Sequence, residues 1–393
     1  MTGGPPVLEI GAVQAIGTAV QSAYGTAATT GFTYFEWRSR AIKPVTGRKL
    51  YKTGAGTRGD TRKRGRSKSN TGGTFSLALQ NIQGVELIAY TFGCDDVAMA
   101  THTHSTTLNG GVSAGAGSVV VTSATGFSTG TGYIQIGPDA NGRSEVHAIG
   151  TVASTTINFA NSEVLSRSYL TGVAAHEGDT TGTLTHTFSN ALPVPYLTVV
   201  LDRSGQWYQV KDVQLDKLAL ALSGDDEWLA TYNILGGNGF TEIATLTPTF
   251  ATDINELNLA DLTAATLLGS VPVTDLAMLT CNVSNNVKQG WTGGSYYPQK
   301  QKEGEFTIDG DIDVFFDAAV DETMVQAMVT GTEVNAVYTI GNHTITLNNA
   351  NFLEPDWTDS LAELNRLKAT YSVRAPSSST WAVTSTSAYL PYV

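Results

Sequence analysis

Glu305-Phe-Thr-Ile-Asp-Gly-Asp-Ile-Asp-Val-Phe-Phe316 alternates two kinds of residue along its whole length. One set is apolar apart from a glycine and comprises Phe306, Ile308, Gly310, Ile312, Val314 and Phe316. The other set is mostly acidic and contains Asp309, Asp311 and Asp313. A period of two residues is typical of a strand with one face buried. The segment therefore predicts a half-buried β-strand with an acidic outer surface.

A short helix is predicted directly after this strand. Asp317, Asp321 and Glu322 precede an apolar group that begins at Met324. Acids are favoured in the first turn of a helix because they face its positive end. The same order occurs earlier in the chain, where an alternating segment is followed by apolar residues that end at a glycine. The residues involved are Phe75, Leu77 and Leu79, then Val85, Leu87, Ile88 and Ala89, with Gly93 at the end.

Two further similarities suggest that this strand-helix unit is repeated. Gly73-Thr-Phe75 aligns with Gly304-Glu-Phe306, and Leu229-Ala-Thr-Tyr-Asn-Ile234 is similar to Lys368-Ala-Thr-Tyr-Ser-Val373. A repeat of this length predicts one structural unit built twice. We therefore expect a mainly β protein with two related β domains in tandem.

The first copy contains an excess block rich in Gly, Ser and Thr, from Ser105 to Asp179. Within it, turns separate four short predicted strands, 118–122, 133–136, 145–149 and 155–159. We expect an inserted small all-β domain of immunoglobulin-like type. The predicted division is a first domain in two parts, 1–104 and 180–245, the insert at 105–179, and a second domain at 246–393. The tail from Pro376 is predicted to be an extended arm that orders only against a neighbouring molecule.

Composition agrees with a β-rich chain. The 393 residues include 41 glycines, and only 15% of the residues are charged. Glycine permits tight turns, and the many Thr and Val residues fit pleated sheets. No run of about 18 apolar residues predicts a membrane span, and the N-terminus lacks the pattern of a secretory signal. We expect a soluble protein that is made in a cytoplasm and has no membrane partner.

Charge is distributed very unevenly. The segment 38–68 contains twelve Lys and Arg residues and a single acid, Asp60, so it carries a net charge of +11. Because the whole chain has a net charge of −12, the remainder carries −23. A basic arm next to an acidic body favours pairing between copies of the same protein. Nucleic-acid binding by the arm is a weaker alternative, because no aromatic residues are interleaved for base stacking.

Motifs for catalysis or for cofactors lack the context that their chemistry needs. Gly54-Ala-Gly56-Thr-Arg-Gly59 is not followed by a helix that could hold phosphate, and Gly111-Val-Ser113-Ala-Gly115 precedes a strand instead of a helix. The Asp309 repeat has Val314 where a calcium loop needs glycine. His102 and His104 lack a third metal ligand at a familiar spacing. We therefore predict no catalytic residue, no cofactor and no metal site.

The order of these segments resembles the tail tube proteins (major tail proteins) of long-tailed bacteriophages, of the type with two fused tube domains. The resemblance covers nearly the whole chain outside the insert. It rests on Tyr24-Gly-Thr-Ala27, Gly73-Thr-Phe-Ser-Leu-Ala-Leu79, Phe92-Gly93, Leu197-Thr-Val-Val-Leu-Asp-Arg-Ser-Gly205, the strand 215–222 and Gly304-Glu-Phe-Thr-Ile-Asp-Gly310.

The resemblance implies two β-sandwiches, each with a short helix, whose sheets join edge to edge in a ring. Stacked rings would form a hollow tube in the virion, assembled in the host cytoplasm, through which DNA enters the host. It also places segment 38–68 where the family has a loop that reaches the adjacent ring. Its predicted inter-ring contacts are Arg58, Arg62, Lys63, Arg64, Arg66 and Lys68, and Asp309, Asp311 and Asp313 are predicted to form an acidic tube wall.

The partners implied are further copies of the chain, three to a ring, the tail terminator, the tail-tip or baseplate proteins, the tape measure protein and DNA bound without sequence specificity. Two other functions stay open at this point. One is a secreted or surface carbohydrate-binding β protein, suggested by the Ser/Thr-rich insert and six tryptophans. The other is a capsid decoration or baseplate protein.

Overall fold

Antiparallel strands form most of the protein. The computed structural model describes residues 15–51, 63–81, 83–178, 183–222, 227–250, 256–267, 271–272, 276–293, 295–315, 326, 329–353, 356–358 and 366–385. Its elements confirm the mainly β fold predicted from the sequence. Within these residues, no helix is both long and apolar enough to span a membrane.

The first half of the chain surrounds one helix with strands. In chain order its elements are β1 (Ala15–Val20), β2 (Thr33–Glu36), β3 (Ser39–Arg40), β4 (Lys43–Tyr51), β5 (Lys63–Ala78), α1 (Val85–Phe92) and β6 (Gly93–Met99), and then, after the insert, β13 (Leu184–Asn190), β14 (Leu197–Arg203), β15 (Gln206–Leu222) and β16 (Trp228–Ile243). The predicted helix ending at Gly93 is confirmed, since Gly93 caps α1 in the left-handed conformation with φ 86°.

The second half repeats the preference for long antiparallel pairs. It comprises a 3₁₀ turn (Leu259–Asp261), β17 (Leu262–Leu267), β18 (Val271–Pro272), β19 (Leu276–Ser284), β20 (Lys288–Gly290), β21 (Lys300–Lys302), β22 (Thr307–Phe315), β23 (Val334–Ile340), β24 (His343–Phe352), β25 (Asp356–Thr358), β26 (Arg366–Val373), a 3₁₀ turn (Pro376–Ser378) and β27 (Thr380–Ser385). The helix predicted after Phe316 falls largely on 316–325 and 327–328, outside the described residues.

The insert forms a sheet of its own. Its strands are β7 (His104–Thr107), β8 (Ser118–Val120), β9 (Tyr133–Ile136), β10 (Glu145–Ala153), β11 (Thr156–Phe159) and β12 (Ala174–Gly178), in the order β7-β12-β9-β10-β11-β8. A separate hydrophobic cluster that includes Ile134, Ile136 and Ile157 fills it. His104 on β7 lies opposite Glu177 on β12, so the chain enters and leaves the insert at neighbouring points.

One continuous sheet runs through both halves of the chain. Its strand order is β4-β5-β16-β15-β19-β22-β26-β25, and the middle pair, β15 with β19, joins the first half to the second. We call this the long sheet. A second path of strands, β6-β13-β27-β24-β23-β17, also crosses between the halves, where β13 pairs with β27. Buried residues from both paths form a single core, so the two halves are interlocked.

The end of the chain differs from its prediction. Residues from Pro376 were expected to be an arm that orders only against a neighbouring molecule, and this is wrong for 380–385. These residues form β27, which lies between β13 and β24. Trp381 is fully buried, and its indole nitrogen donates a hydrogen bond to His343 Nδ1 at 3.0 Å. An apolar side chain of this size anchors the strand in the core, which the Ser/Thr-rich sequence concealed.

The two similar strands, β16 and β26, pair with β5 and β22 in a register that revises the sequence alignment. Tyr232 lies opposite Phe75, and the equivalent Tyr371 lies opposite Gly310. Phe75 therefore corresponds to Gly310, four residues beyond Phe306. Each half has the same local order of strands, β4-β5-β16-β15 and β19-β22-β26-β25. The alignment of Gly73-Thr-Phe75 with Gly304-Glu-Phe306 predicted the wrong register between them.

Candidate assembly surfaces

The open face of the long sheet carries mostly small, uncharged side chains. One row of directly opposed residues crosses six strands, and it consists of Ser76, Thr231, Ala219, Asn282, Asp309 and Ser372. A neighbouring row consists of Thr74, Asn233, Lys217, Ser284 and Thr307. The opposite face of the same strands is apolar and buried in the core, with Leu218 and Ile312 fully buried. The long sheet is thus apolar on one side and polar on the other, as alternation requires.

The three predicted wall acids have different environments. Asp309 accepts a hydrogen bond from the Asn282 amide at 2.9 Å, and exposed Asp311 accepts one from the Thr370 hydroxyl at 2.8 Å. Asp313 is buried, so its expected place on the exposed acidic surface is wrong, and the Lys368 ammonium lies 3.8 Å from its carboxylate. This exception arises because alternation fixes the face of a side chain, whereas burial depends on what packs next to it.

A carboxyl group is buried beneath the core side of this sheet. Glu86, in the first turn of α1, is 5% exposed. Burial raises its pKa to about 7, because the charged form loses its solvation, although hydrogen bonds from the backbone and from the Thr33 side chain oppose this. The same carboxyl group contributes to the raised pKa of Tyr90, after burial.

The long sheet has two open edges among the described residues. One edge is β3 and β4 beside β5, and the other is the end of β24 followed by β25 beside β26. In the first half, β15 pairs with β14 up to Val213 and with β19 from Lys217 onward. In the second half, β24 pairs with β23 up to Ala350. Beyond Ala350, no described strand lies beside β24 in the way that β19 lies beside β15. Next to this gap, Leu353 is 49% exposed.

The basic segment forms a long hairpin of β4 and β5, which we call the basic hairpin (43–72). Its register places Arg48 opposite Arg66 and Leu50 opposite Arg64. The structure places Lys63, Arg64 and Arg66 on β5, whereas Arg58 and Arg62 lie outside the described residues.

Bases at the foot of the hairpin already have partners within the chain. The Lys68 ammonium lies 4.6 Å from the centre of the Trp291 ring, a cation–π distance. Arg38 forms ion pairs with Glu227 at 2.8 Å and with Glu256 at 2.5 Å. The Arg40 guanidinium lies 4.6 Å from the Trp37 ring centre. The charge available to a second molecule is therefore less than the +11 counted from the sequence.

The insert is attached to β6 by buried polar contacts. The guanidinium of Arg167, a residue 7% exposed, donates to the backbone oxygens of Ser144 and Asp95. The Asp96 carboxylate accepts from the Ser144 amide at 2.6 Å, and Gln135 Oε1 accepts from the Met99 amide at 2.8 Å. Buried donors and acceptors paired in this way fix orientation. The insert is thus held against the β6-β13 layer.

The two histidines that were weighed as metal ligands have protein partners. His104 Nδ1 lies 2.8 Å from the Glu177 carboxylate, and the His102 ring stacks on that of His176 at 4.2 Å between centres. Burial lowers the pKa of His176, and His102 lowers it further. These contacts lie at the base of the insert and account for both side chains structurally.

A scan against protein-family models matches residues 11–377 to the model described as phage tail tube protein. The match includes the long sheet, its polar face, the basic hairpin and the insert. The chain belongs to the phage tail tube protein family. It is therefore a structural protein of the bacteriophage tail, in a family that is not one of enzymes. A search of the curated proteins found no match.

Sequence reasoning located the acids and the basic hairpin but missed the residues at the sheet edges. Ala41 and Leu353 carry no chemical signature, because an edge is defined by which strand lies beside it. Pro44 on β4 is a weak signal that the sequence analysis did not use, since proline within a sheet is confined to edges, strand starts and bulges. The structure was needed to place both edges in one sheet.

Proposed function

We propose that copies of this tail tube protein close into rings by pairing the two edges of the long sheet, and that the rings stack into the tube. The observation that carries this proposal is the pairing of β15 with β19. That junction already connects two similar four-strand units edge to edge within one chain. Repeating it between chains satisfies both exposed edges through one specific partner and so prevents uncontrolled pairing.

The polar face of the long sheet would line the channel. A core and a second layer of strands cover its other face, so only the polar face is available to the lumen. Its Thr, Ser, Asn and Ala side chains offer few cations to hold phosphate, and Lys217 and Lys368 lie among Asp309 and Asp311. A wall of this kind supports DNA passage, because binding to DNA grows with each phosphate that a protein neutralises.

The other surfaces have roles consistent with stacked rings. The basic hairpin would dock on an acidic surface of the adjacent ring, and the insert, held on the β6-β13 layer away from the polar face, would lie outside the tube. The tail terminator and the tail-tip or baseplate proteins would cap the two ends, and the tape measure protein and then DNA would occupy the lumen. Assembly would take place in the host cytoplasm.

Electron microscopy of the purified protein tests this function. We expect hollow tubes with the eight strands of each long sheet in the inner wall. Two proline variants should be compared in the same assay. Ile42→Pro changes the edge of the long sheet, and Ser372→Pro, inside the same sheet, is its control. Tubes that form with the polar face on the outside, or a protein that stays monomeric at high concentration, would contradict the proposal.

A further inference from the structure

The junction between the two halves of one chain provides a template for the junction between chains. Its register is fixed, with Ala219 opposite Asn282, Leu218 opposite Val283 and Lys217 opposite Ser284. Because the two halves have the same strand order, each residue of this junction has an equivalent at one of the open edges. These equivalents can be identified by strand pairing alone.

The equivalent of β15 is the end of β24. Tyr232 on β16 corresponds to Tyr371 on β26, and these tyrosines lie opposite Leu218 and Phe352. Leu218 and Phe352 are both buried. The next residues, Ala219 and Leu353, then correspond, and the Leu353 amide donates to the Thr370 backbone oxygen at 2.8 Å, which fixes its position beside β26.

The equivalent of β19 is the segment that links β3 to β4. Val283 lies opposite Ile308 on β22, and Ile42 occupies the same position beside β5, where the flanking pairs are Arg40 with Phe75 and Lys43 with Gly72. Val283 and Ile42 are both 1% exposed. Asn282 then corresponds to Ala41, which is exposed.

We propose that chains in the ring pair with Leu353 of one copy directly opposite Ala41 of the next, flanked by Phe352 opposite Ile42 and Asn351 opposite Lys43. This register rests on the proposed ring and specifies its contact. Two observations support it independently of the equivalence. Leu353 is a large apolar residue left 49% exposed, and the small residue Ala41 that would lie opposite it is also exposed.

Hydrogen-bond directions agree with this register. The amides of Ala41 and Leu353 both donate inward, to Thr74 at 2.8 Å and to Thr370 at 2.8 Å. Leu353 and Ala41 would therefore form a non-hydrogen-bonded pair, in which side chains are closest. The backbone N–H and C=O groups of the next residue, Ile42, would point outward to the neighbouring chain. The Ile42 oxygen already accepts from Arg203 at 2.5 Å, and its second lone pair can accept from the neighbouring strand.

Disulfide cross-linking tests this register. The variant Ala41→Cys/Leu353→Cys should form a bond only between chains, because the two edges of one sheet lie about 34 Å apart across seven strand spacings. The native Cys94 and Cys281 are buried and not disulfide-bonded. Cα atoms about 4.5 Å apart in a non-hydrogen-bonded pair suit a disulfide. We expect at least about tenfold more cross-linked chain under mild oxidation than with the matched control Ser39→Cys/Leu353→Cys.

Tube formation by the reduced variants tests the ring separately from the register of its contact. If both variants form normal tubes when reduced but only the control pair cross-links on oxidation, the ring stands and this register is overturned. If neither forms tubes while wild type does, a second pair at the flanking position, Lys43→Cys with Asn351→Cys, must cross-link for the register to hold. If wild type itself forms no rings, the proposed function fails first.

Discussion

Tyr371 lies directly opposite Gly310 in the long sheet, and its hydroxyl donates a hydrogen bond to the backbone oxygen of Thr280 at 2.7 Å, on the strand beyond. A Cβ atom at Gly310 would lie 2.6 Å from this hydroxyl and 2.0 Å from the Thr280 oxygen. The equivalent position in the first half holds Phe75, whose ring stacks on Tyr232 at 5.4 Å. The equivalent tyrosines Tyr371 and Tyr232 are thus accommodated in two different ways.

Gly310→Ala should therefore destabilise the protein by at least about 2 kcal/mol, because overpacking a tight core costs about 1–3 kcal/mol and one clash here is with backbone. The measurement is the free energy of unfolding from chemical denaturation. Gly293→Ala is the matched control, since a Cβ there meets no atom within 4 Å. Equal stability of the two variants would show that β22 shifts freely.

Sequence patterns predicted elements well where one physical signal dominated. Alternation from Phe306 identified β22, and apolar spacing ending at Gly93 identified α1. Register was less accessible, because the pairing of Tyr371 with Gly310 depends on the space that a glycine leaves for a side chain on a separate strand. The position of β27 inside the sheet was missed for a similar reason, because this strand, with its Trp381, pairs with one strand from each half.

The burial of Glu86 should make folding depend on pH. Its pKa is about 7 in the folded protein, raised by burial from 4.5, so the folded state holds a proton that the unfolded state releases between these values. Stability from this group is thus present below about pH 4.5 and is lost as pH rises through 7. The loss is bounded at about 3 kcal/mol, since each unit of pKa shift corresponds to about 1.4 kcal/mol.

Glu86→Gln isolates this effect, because the amide cannot ionise. Unfolding free energies of wild type and variant should be compared from about pH 5 to about pH 8.5, and the difference should move in favour of the glutamine variant as pH rises. Glu256→Gln, at a partly exposed ion pair, serves as the control. A constant difference across the range for Glu86→Gln would mean that Glu86 is charged in the folded protein.

The basic hairpin should control stacking and not ring closure. Changing Arg62, Lys63, Arg64 and Arg66 to Glu is expected to leave single rings that do not stack, because the hairpin would then repel the acidic surface of the next ring. Stacking by the wild type should also weaken as salt rises, since exposed charges are screened beyond about 8 Å at physiological ionic strength and over shorter distances at higher salt. Sedimentation and microscopy measure both effects. Normal tubes from the variant would refute docking by this segment.

Removal of the insert should leave tube formation intact. His104 and Glu177 lie opposite each other, so a short Gly-Ser linker can replace the residues between Thr103 and Gly178. Val97 and Met99 pack against Val146 of the insert, and one version should therefore carry Val97→Thr and Met99→Thr to prevent aggregation. Microscopy should show thinner tubes with the same inner diameter. A variant that folds but forms no tubes would place the insert in an assembly interface.

Ring symmetry provides the last prediction, that three chains close each ring. The long sheet contains two four-strand units, β4-β5-β16-β15 and β19-β22-β26-β25, and one identical contact between chains must repeat until the ring closes. A ring of six single units turns by about 60° per unit. Three chains with two units each supply the same six units, and the two kinds of unit then alternate around the ring. Asp309 and Asp311 would then occur in every second unit, because their equivalents in the first half are Thr74 and Ser76. A reconstruction without imposed symmetry should show threefold density on the inner wall, with the basic hairpin on alternate units. Sixfold rings of this whole chain would exclude the repeat as the basis of closure.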